Sequence, residues 1–323
     1  MRVIQEPDQA LAMHRLMVLS RCLDEICCRE SPHWFPSEGE EAVPVGAFYG
    51  LGPEDVCAPN YRGAPVVYLM RGVSLEQVWA GILGKRTGFV RGRHYGFTAP
   101  VQLRVLPFLA GDLGPLISQA TGAAFAQKYR GSDAVTVVSF GDGTSNRGDF
   151  HEAVNLGAAW QLPVVYVIQN NQYAISMPIG RATAVKALVD RALGYGIRGV
   201  AVDGNDVLSV HAIVAEAVRR ARAGLGPTLV EALTYRVRGH FAGDGAPYRP
   251  ADEAEAWRER DPIRRLEEQL AQAGLLGPKD AQAVWATARA EVEEARRAAQ
   301  AHPEIQPTDL GLDQLFATPV EGS

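Results

Sequence analysis

A glycine–aspartate–glycine turn carries the clearest chemistry in this sequence of 323 residues. Gly141-Asp142-Gly143 follows a short run rich in β-branched residues (134–140) and precedes a segment with helical periodicity (149–160). Glycines let a backbone approach a ligand closely, and the start of a helix offers free N–H groups to an anion. We therefore expect Asp142 and an anion-binding turn at the carboxyl end of a strand, where open parallel sheets bind ligands.

A pair of asparagines stands one helix and one strand further along the chain. Asn170-Asn171 follow a second β-rich run at residues 163–169. Adjacent parallel strands end at the same edge of a sheet, so the carboxylate of Asp142 and an amide oxygen of this pair should meet there. All-oxygen sets suit Mg²⁺, which keeps its other positions for water and substrate phosphate. An Asp-Gly turn alone is usually structural, and it is the spacing to the asparagines that favours a metal site.

Helical and strand-like segments alternate through the chain. Periodicity predicts helices at residues 8–29, 40–49, 75–83, 114–130, 149–160 and 207–223, and β-rich runs predict strands at 134–140, 163–169, 199–202 and 227–235. This order predicts an α/β fold, with a parallel sheet flanked by helices on both faces. Residues 87–112 show no sustained period and are expected to form a long loop.

The C-terminal part has a different composition. From Ala251 onward the chain is rich in Ala, Glu and Arg, and Leu266, Leu270 and Leu275 recur at helical spacing. We expect residues 1–250 to form one α/β domain that includes the N-terminal helix. Residues 251–323 are expected to be a helical extension that packs on this domain.

The overall composition argues against several classes of protein. Apolar residues make up 47% of the chain, charged residues 21%, and the net charge of −5 arises from interspersed residues of both signs. This balance argues against nucleic-acid binding and against a polybasic membrane surface, and no apolar run is long enough to span a bilayer. The N-terminal residues lack the pattern of a secretory signal.

Cysteine usage indicates a reducing compartment. Cys22, Cys27 and Cys28 crowd into one predicted helix, and Cys57 stands apart from them. Neither a Cys-x-x-Cys pair nor a zinc-ligand spacing is present. We expect buried or half-buried free thiols in a cytoplasmic protein.

The spacing of the turn and the asparagine pair resembles the thiamine-diphosphate motif. Over nearly its whole length the sequence also resembles the alpha subunit of the decarboxylating component of 2-oxo acid dehydrogenase complexes, of the branched-chain (2-oxoisovalerate) and bacterial pyruvate type. The segments that carry this likeness are Gly39–Ala42, Asn60–Gly63, Gly92–Gly96, Asn170–Ser176, Gly194–Ile197, Val202–Asp206, Thr234–His240 and Tyr248-Arg249. The resemblance implies the thiamine-diphosphate-binding fold, in which Gly39–Ala42 begins a helix.

The resemblance implies a metal-binding and diphosphate-binding role for one group of residues. Asp142 and Asn171 would ligate Mg²⁺ through their side chains, and Tyr173 would do so through its backbone carbonyl. Gly143 and Thr144 would offer backbone N–H groups to the diphosphate.

A second group would approach the cofactor from the other side. Tyr61 and Arg62 would hold the diphosphate, a task for which the planar guanidinium is well suited. Leu113 would keep an apolar contact with the cofactor. His240 would lie near the diphosphate and the reacting centre, where it would orient the substrate or the lipoyl group.

The resemblance also implies an activity and partners. Members of the family decarboxylate a 2-oxo acid with thiamine diphosphate and Mg²⁺, and pass the acyl group to a lipoyl group on an acyltransferase component. The glutamate that activates the aminopyrimidine comes from a beta subunit, and this sequence offers no candidate for it. We therefore expect an α₂β₂ heterotetramer in which this chain is inactive alone. A branched-chain 2-oxo acid and pyruvate both stay open as substrates, because a pocket discriminates one methylene by only about 1–3 kcal/mol.

Three stretches depart from the family pattern. Residues 241–243 (Phe-Ala-Gly) stand where many members carry serines that kinases phosphorylate, so no such control is expected. Residues 111–113 (Gly-Asp-Leu) replace a Ser-Pro-Leu element, which leaves a potassium site open. Gln169 stands where branched-chain members often have an arginine, which weakens the positive field around the diphosphate. The shortened loop at 87–112 also leaves the pocket wall undefined.

Rival functions share parts of this pattern. A transketolase-like half protein would need basic groups for a sugar phosphate at the pocket mouth, whereas the Tyr-Arg and Gly-His segments favour the dehydrogenase. An acetoin dehydrogenase alpha subunit would have the same architecture. A non-catalytic paralogue that acts as a partner subunit is the remaining alternative.

Overall fold

The computed structural model describes residues 4–92, 96–109 and 113–309. The α-helices are Pro7–Glu30 (α1), Ala42–Phe48 (α2), Ala64–Met70 (α3), Leu75–Ile82 (α4), Pro115–Tyr129 (α5), Gly148–Ala159 (α6), Ile179–Ala182 (α7), Arg191–Tyr195 (α8), Val207–Arg222 (α9), Ala251–Arg258 (α10), Pro262–Gln272 (α11) and Pro278–Gln300 (α12). The strands are Val56–Ala58 (β1), Gly96–Phe97 (β2), Phe108–Leu109 (β3), Thr136–Gly141 (β4), Val164–Asn170 (β5), Tyr173–Ala174 (β6), Met177–Pro178 (β7), Arg198–Asp203 (β8) and Thr228–Leu233 (β9). Short 3₁₀ segments lie at Val101–Leu103, Gly143–Asn146, Leu188–Asp190 and Pro307–Asp309.

A parallel sheet of five strands forms the centre, in the order β1-β4-β5-β9-β8. The register brings Gly141 of β4 opposite Gln169 of β5, and Gln169 opposite Ala232 of β9. The carboxyl ends of these strands therefore lie along one edge. Four of the five strands begin and end within two residues of the predicted bounds, whereas β1 was missed because three residues are too few to show a pattern.

Helices cover both faces of the sheet, which confirms the predicted fold class. Successive residues of a strand point to opposite faces. Val137 accordingly belongs to the apolar cluster that includes the helices α1, α2 and α9, while Val138 belongs to the cluster of α5 and α6. The inner strands β4 and β5 are buried on both sides because neither of their faces meets water, whereas the edge strand β8 is partly exposed.

The N-terminal and C-terminal helices share one core. Met13 and Met17 of α1 are buried in the same cluster as Leu266 and Leu270 of α11 and Val292 of α12. Arg21 of α1 also donates to Asp261, which caps the start of α11. The C-terminal helices therefore pack on the α/β core through α1, and the domain division at residue 250 remains a prediction.

The segment 87–112 differs from the long loop that was expected. Its described parts contain the antiparallel pair of β2 and β3, with Phe97 opposite Phe108, and Tyr68 donates to the carbonyls of Phe97 and Leu106. Of the family-like loop Gly92–Gly96, residues 93–95 lie outside the described residues, as do 111 and 112 of the altered potassium element.

Two further observations concern expectations from composition. Among the described residues, no helix has the length and apolar character needed to cross a membrane. All four cysteines are free thiols, with Cys28 half-buried and the other three buried.

Candidate active site

The sheet edge carries a buried carboxylate. Asp142 directly follows β4 and is 1% exposed, and its Oδ2 atom has no hydrogen-bond partner among the residues that the structure describes. Burial, and next the negative charge of Glu40, raise the pKa of Asp142 to about 7, while the hydrogen bond from the backbone N–H of Gly143 acts in the opposite direction. The positive charge of Arg236 offsets this only in part, and a bound cation would supply the remaining counter-charge.

The turn after Asp142 is a 3₁₀ segment, Gly143–Asn146, and not the start of the long helix α6. A Cβ atom on Gly143 would lie 2.5 Å from the Cβ of Ala174, so only glycine fits at this position. Thr144 is buried in the same turn. The predicted N–H donors, Gly143 and Thr144, therefore lie in a tight turn that packs against the β6–β7 hairpin.

Arg191 of α8 clamps this turn from outside. Its guanidinium donates to Ser145 and, at 2.5 Å, to the Oδ1 atom of Asn146, while Ser145 Oγ donates to the carbonyl of Asp142 at 2.6 Å. The turn is thus fixed by side chains as well as by its backbone. Sequence inspection did not single out Arg191, since it lies in α8, well beyond the motif in the chain.

Asn171 and Tyr173 follow β5 at the same edge. The Nδ2 atom of Asn171 donates to Glu40 Oε2 at 3.0 Å, and its Oδ1 atom accepts from the backbone N–H of Tyr173 at 3.3 Å. The carbonyl of Tyr173 accepts from Arg236 at 3.4 Å, and its hydroxyl donates to Glu253 of α10 at 2.7 Å. The C-terminal helices therefore support the hairpin that carries the predicted metal-binding carbonyl.

Tyr61 and Arg62 follow β1, the strand that neighbours β4. Arg62 is 1% exposed, and its guanidinium donates to the carbonyls of Pro36 at 2.5 Å and of His240 at 3.0 Å and to the hydroxyl of Tyr61 at 3.4 Å. These bonds tie two loops together and use part of the five N–H donors.

A second buried guanidinium, Arg236, was not predicted as a site residue. It donates to the carbonyl of Ile175 at 2.6 Å and to the hydroxyl of Tyr248 at 2.7 Å. Its pKa is lowered by burial and by the positive charge of Arg62. A bound anion would relieve the repulsion between these two cations.

His240 lies between aromatic rings in the loop that follows β9. The centroid of its ring is 5.1 Å from that of Phe35 and 6.4 Å from that of Tyr61. Asp244 fixes the loop by accepting from the backbone N–H of His240 at 2.6 Å and from the hydroxyl of Tyr248 at 2.6 Å. Within the described part of the chain, the buried Nδ1 atom of His240 has no hydrogen-bond partner.

We expect His240 to stay neutral across the physiological range of pH. Burial and then the charges of Arg62 and Arg236 lower its pKa to about 4. The pKa of a histidine in the unfolded chain is about 6.5, so the unfolded state takes up a proton at a higher pH than the folded state does. His240 therefore lowers the free energy of unfolding progressively as the pH falls below about 6.5. Exchange of the imidazole C2 hydrogen, followed by mass spectrometry in the assembled protein, should show no transition at His240 between pH 8 and 5.5. A midpoint near the ordinary value would contradict this burial.

The predicted residues differ in how closely the structure connects them. Glu40 connects the predicted metal ligands with the predicted diphosphate-binding residues, because it accepts from Asn171 and lies 3.4 Å from Arg62. Arg62 also donates to the carbonyl of His240, and Arg236 donates to the carbonyl of Tyr173. Leu113 is half-buried in the turn before α5. The described residues hold no cluster of three histidine, cysteine or carboxylate side chains. A cation here would have one carboxylate with amide and carbonyl oxygens, a set that suits Mg²⁺ together with phosphate.

Comparisons with known proteins agree with this architecture. A profile of the Dehydrogenase E1 component family matches residues 29–308. The 3-methyl-2-oxobutanoate dehydrogenase subunit alpha of Mycobacterium tuberculosis is 37% identical over 97% of this chain and 83% of its own length. The pyruvate dehydrogenase E1 component subunit alpha is 35% identical in Porphyra purpurea, over 93% of this chain and 91% of the relative, and 37% identical in Staphylococcus aureus, over 89% and 77%. Because the match covers the turn, the asparagine pair and both Arg-bearing loops, the chain belongs to the Dehydrogenase E1 component family.

Proposed function

We propose that this chain is the alpha subunit of a 2-oxo acid dehydrogenase and holds the Mg²⁺ and diphosphate half of a thiamine-diphosphate site. The observation that carries the proposal is the buried Oδ2 atom of Asp142, which has no partner in the described chain and lies at the sheet edge with Asn171. Membership of the family implies the use of thiamine diphosphate. The names of the relatives favour the dehydrogenase over acetoin cleavage and over a non-catalytic role.

The donors at the edge fit the group that they would hold. Asp142, Asn171 and the carbonyl of Tyr173 would bind Mg²⁺, and Gly143 and Thr144 would donate N–H groups to the diphosphate. Bound there, thiamine diphosphate supplies the carbon nucleophile with which a 2-oxo acid loses CO₂. The cofactor's negative charge would be balanced by the metal and the two buried guanidinium groups.

The chain's other residues would prepare the reaction. The imidazole of His240 would orient the 2-oxo acid or the lipoyl group through a hydrogen bond at Nδ1. With a pKa of about 4, the ring is uncharged at neutral pH. The rings of Phe35 and Tyr61 beside it would keep water from the reacting centre. The acyl group would then pass to a lipoyl group carried by an acyltransferase component.

We further propose an α₂β₂ heterotetramer in the cytoplasm. The relatives' names describe alpha subunits, which implies a beta subunit as partner. The sequence offers no glutamate candidate for the aminopyrimidine, so the beta subunit would complete the site. Free thiols at all four cysteines agree with a reducing compartment.

The partner requirement is tested by producing this chain with and without the product of the neighbouring gene. We expect the pair to bind thiamine diphosphate and Mg²⁺ in calorimetry and to decarboxylate one of pyruvate, 2-oxoisovalerate and 2-oxoglutarate, with acetoin as a further substrate to exclude. The single chain should show no turnover. Absence of cofactor binding in both preparations, or full activity of the single chain, would contradict the proposal.

A further inference from the structure

The side chain of Glu40 lies beneath the site and is fully buried, at 0% exposure. Carboxylates are almost never fully buried unless they are paired. Its Oε2 atom accepts from Gln169 Nε2 at 2.6 Å and from Asn171 Nδ2 at 3.0 Å. Gln169 belongs to β5 and Asn171 is the first residue after that strand, so this carboxylate is directed at the strand that delivers the predicted metal ligand.

The contact with Glu40 fixes which end of the Asn171 amide faces the site. An ionised carboxylate only accepts hydrogen bonds, so it must be met by the NH₂ end of the amide. The oxygen of Asn171 is then turned away from Glu40, towards the N–H of Tyr173 at 3.3 Å. Without Glu40 the amide could turn over, and its NH₂ end would repel a cation.

Glu40 also connects the two sides of the site. Its Oε1 atom lies 3.4 Å from the Nε atom of Arg62, the guanidinium that holds the carbonyl of His240. Gln169 extends the chain of contacts, because its Oε1 atom accepts from Asn60 at 3.3 Å, next to Tyr61. The carboxylate of Glu40 is therefore hydrogen-bonded to Asn171, a predicted metal ligand, and paired with Arg62, a predicted diphosphate-binding residue.

We propose that Glu40 is a positioning residue, which orients the amide oxygen of Asn171 towards Mg²⁺ and holds Arg62 beside the diphosphate. This inference rests on the proposed function, because it assumes that Asn171 is a metal ligand. Residues that orient a metal ligand from behind commonly change metal affinity about 10–100-fold when they are replaced.

The test measures Mn²⁺ affinity by electron paramagnetic resonance in the assembled pair with thiamine diphosphate present. Glu40→Met keeps the volume but cannot accept a hydrogen bond as an oxygen does, and we expect it to weaken Mn²⁺ binding about 10–100-fold. Glu40→Gln keeps one oxygen that can accept from both amides but loses the negative charge beside Arg62, so its affinity should lie between those of the wild type and the Met variant.

Asp55 offers a matched control outside the site. It is 2% exposed, accepts from the backbone N–H of Val135 at 2.8 Å and pairs with Arg222, at the amino end of β1. Asp55→Asn should lower the melting temperature and leave the Mn²⁺ affinity unchanged. This separates a positioning role from a loss of stability.

The outcomes are distinguishable. Wild-type affinity in both Glu40 variants, or an equal loss in Asp55→Asn, would overturn the role of Glu40 while the proposed function stands. Failure of the wild-type pair to bind Mn²⁺ would refute the proposed function, and the role of Glu40 with it. If Glu40→Met does not assemble, the comparison of Glu40→Gln with Asp55→Asn decides, since only the former should lose affinity.

Discussion

Replacing Asp142 with asparagine should abolish useful Mg²⁺ binding in the assembled enzyme without lowering the stability of the cofactor-free protein. The expected loss of affinity exceeds the roughly 10–100-fold typical of residues behind the ligands, because the one charged side chain in the proposed ligand set is removed. Stability should stay constant or rise, since a buried carboxylate with an unpartnered oxygen and a raised pKa is a cost to the folded state. Metal titration and thermal melting without cofactor measure the two effects.

The opposite directions of these two effects make the prediction specific. Asp149→Asn is the control, because Asp149 lies in the same segment and forms an ion pair with Arg147 near the surface. That variant should bind Mg²⁺ like the wild type. If Asp142→Asn kept its metal affinity, or melted well below the wild type without cofactor, the carboxylate would have a structural role and the assignment of the metal site would be wrong.

Replacing Gly143 with alanine should have the second large effect. The new Cβ atom would lie 2.5 Å from the Cβ and 3.3 Å from the Cα of Ala174, closer than such atoms approach in proteins. The turn or the β6–β7 hairpin must shift, and the two predicted N–H donors move with it. Since misplacing a bound group by about 1 Å can cost about 100-fold in rate, we expect a loss of at least that order in turnover and a weaker affinity for thiamine diphosphate.

A second glycine in the same segment provides the comparison for Gly143. Gly148 begins α6, and a Cβ atom placed there meets nothing within 4 Å. Gly148→Ala should therefore leave cofactor affinity and turnover close to those of the wild type. Equal behaviour of the two variants would show that the turn does not need the close approach to Ala174.

The β-rich runs and the turn residues after them were sufficient to predict which residues meet at the sheet edge. The runs that became β4 and β5 are apolar on both faces, and the turn residues that follow them place Asp142 and Asn171 side by side in a parallel sheet. Residues with short or irregular surroundings were harder to place. The strand β1 has three residues, so the position of Tyr61 and Arg62 rested on the family resemblance alone.

Long-range contacts were beyond the sequence. Glu40 belonged to a predicted helix from residue 40, but the helix begins at Ala42, and the carboxylate turns inwards to Asn171, which lies 131 positions away. Nothing in a local pattern indicates such a contact. An acidic pair inside an otherwise apolar segment was the signal that could have been followed, since buried carboxylates need partners.

The charge balance of the site reflects one departure from the family pattern, at Gln169. Gln169 stands where an arginine was expected, and it is fully buried between Glu40 and Asn60. Because the amide of Gln169 is neutral, the positive charges that act on Glu40 are the guanidinium groups of Arg62 and Arg236. The cationic side of the site is thus built from the loops after β1 and β9.

The central claim is that this chain supplies the metal side of a shared thiamine-diphosphate site. A crystal structure of the assembled pair with Mn²⁺ and thiamine diphosphate tests it most directly, because anomalous scattering locates the metal. We predict one peak about 2 Å from a carboxylate oxygen of Asp142, the amide oxygen of Asn171 and the carbonyl oxygen of Tyr173. A peak ligated only by the partner chain, or none at this edge, would contradict the account.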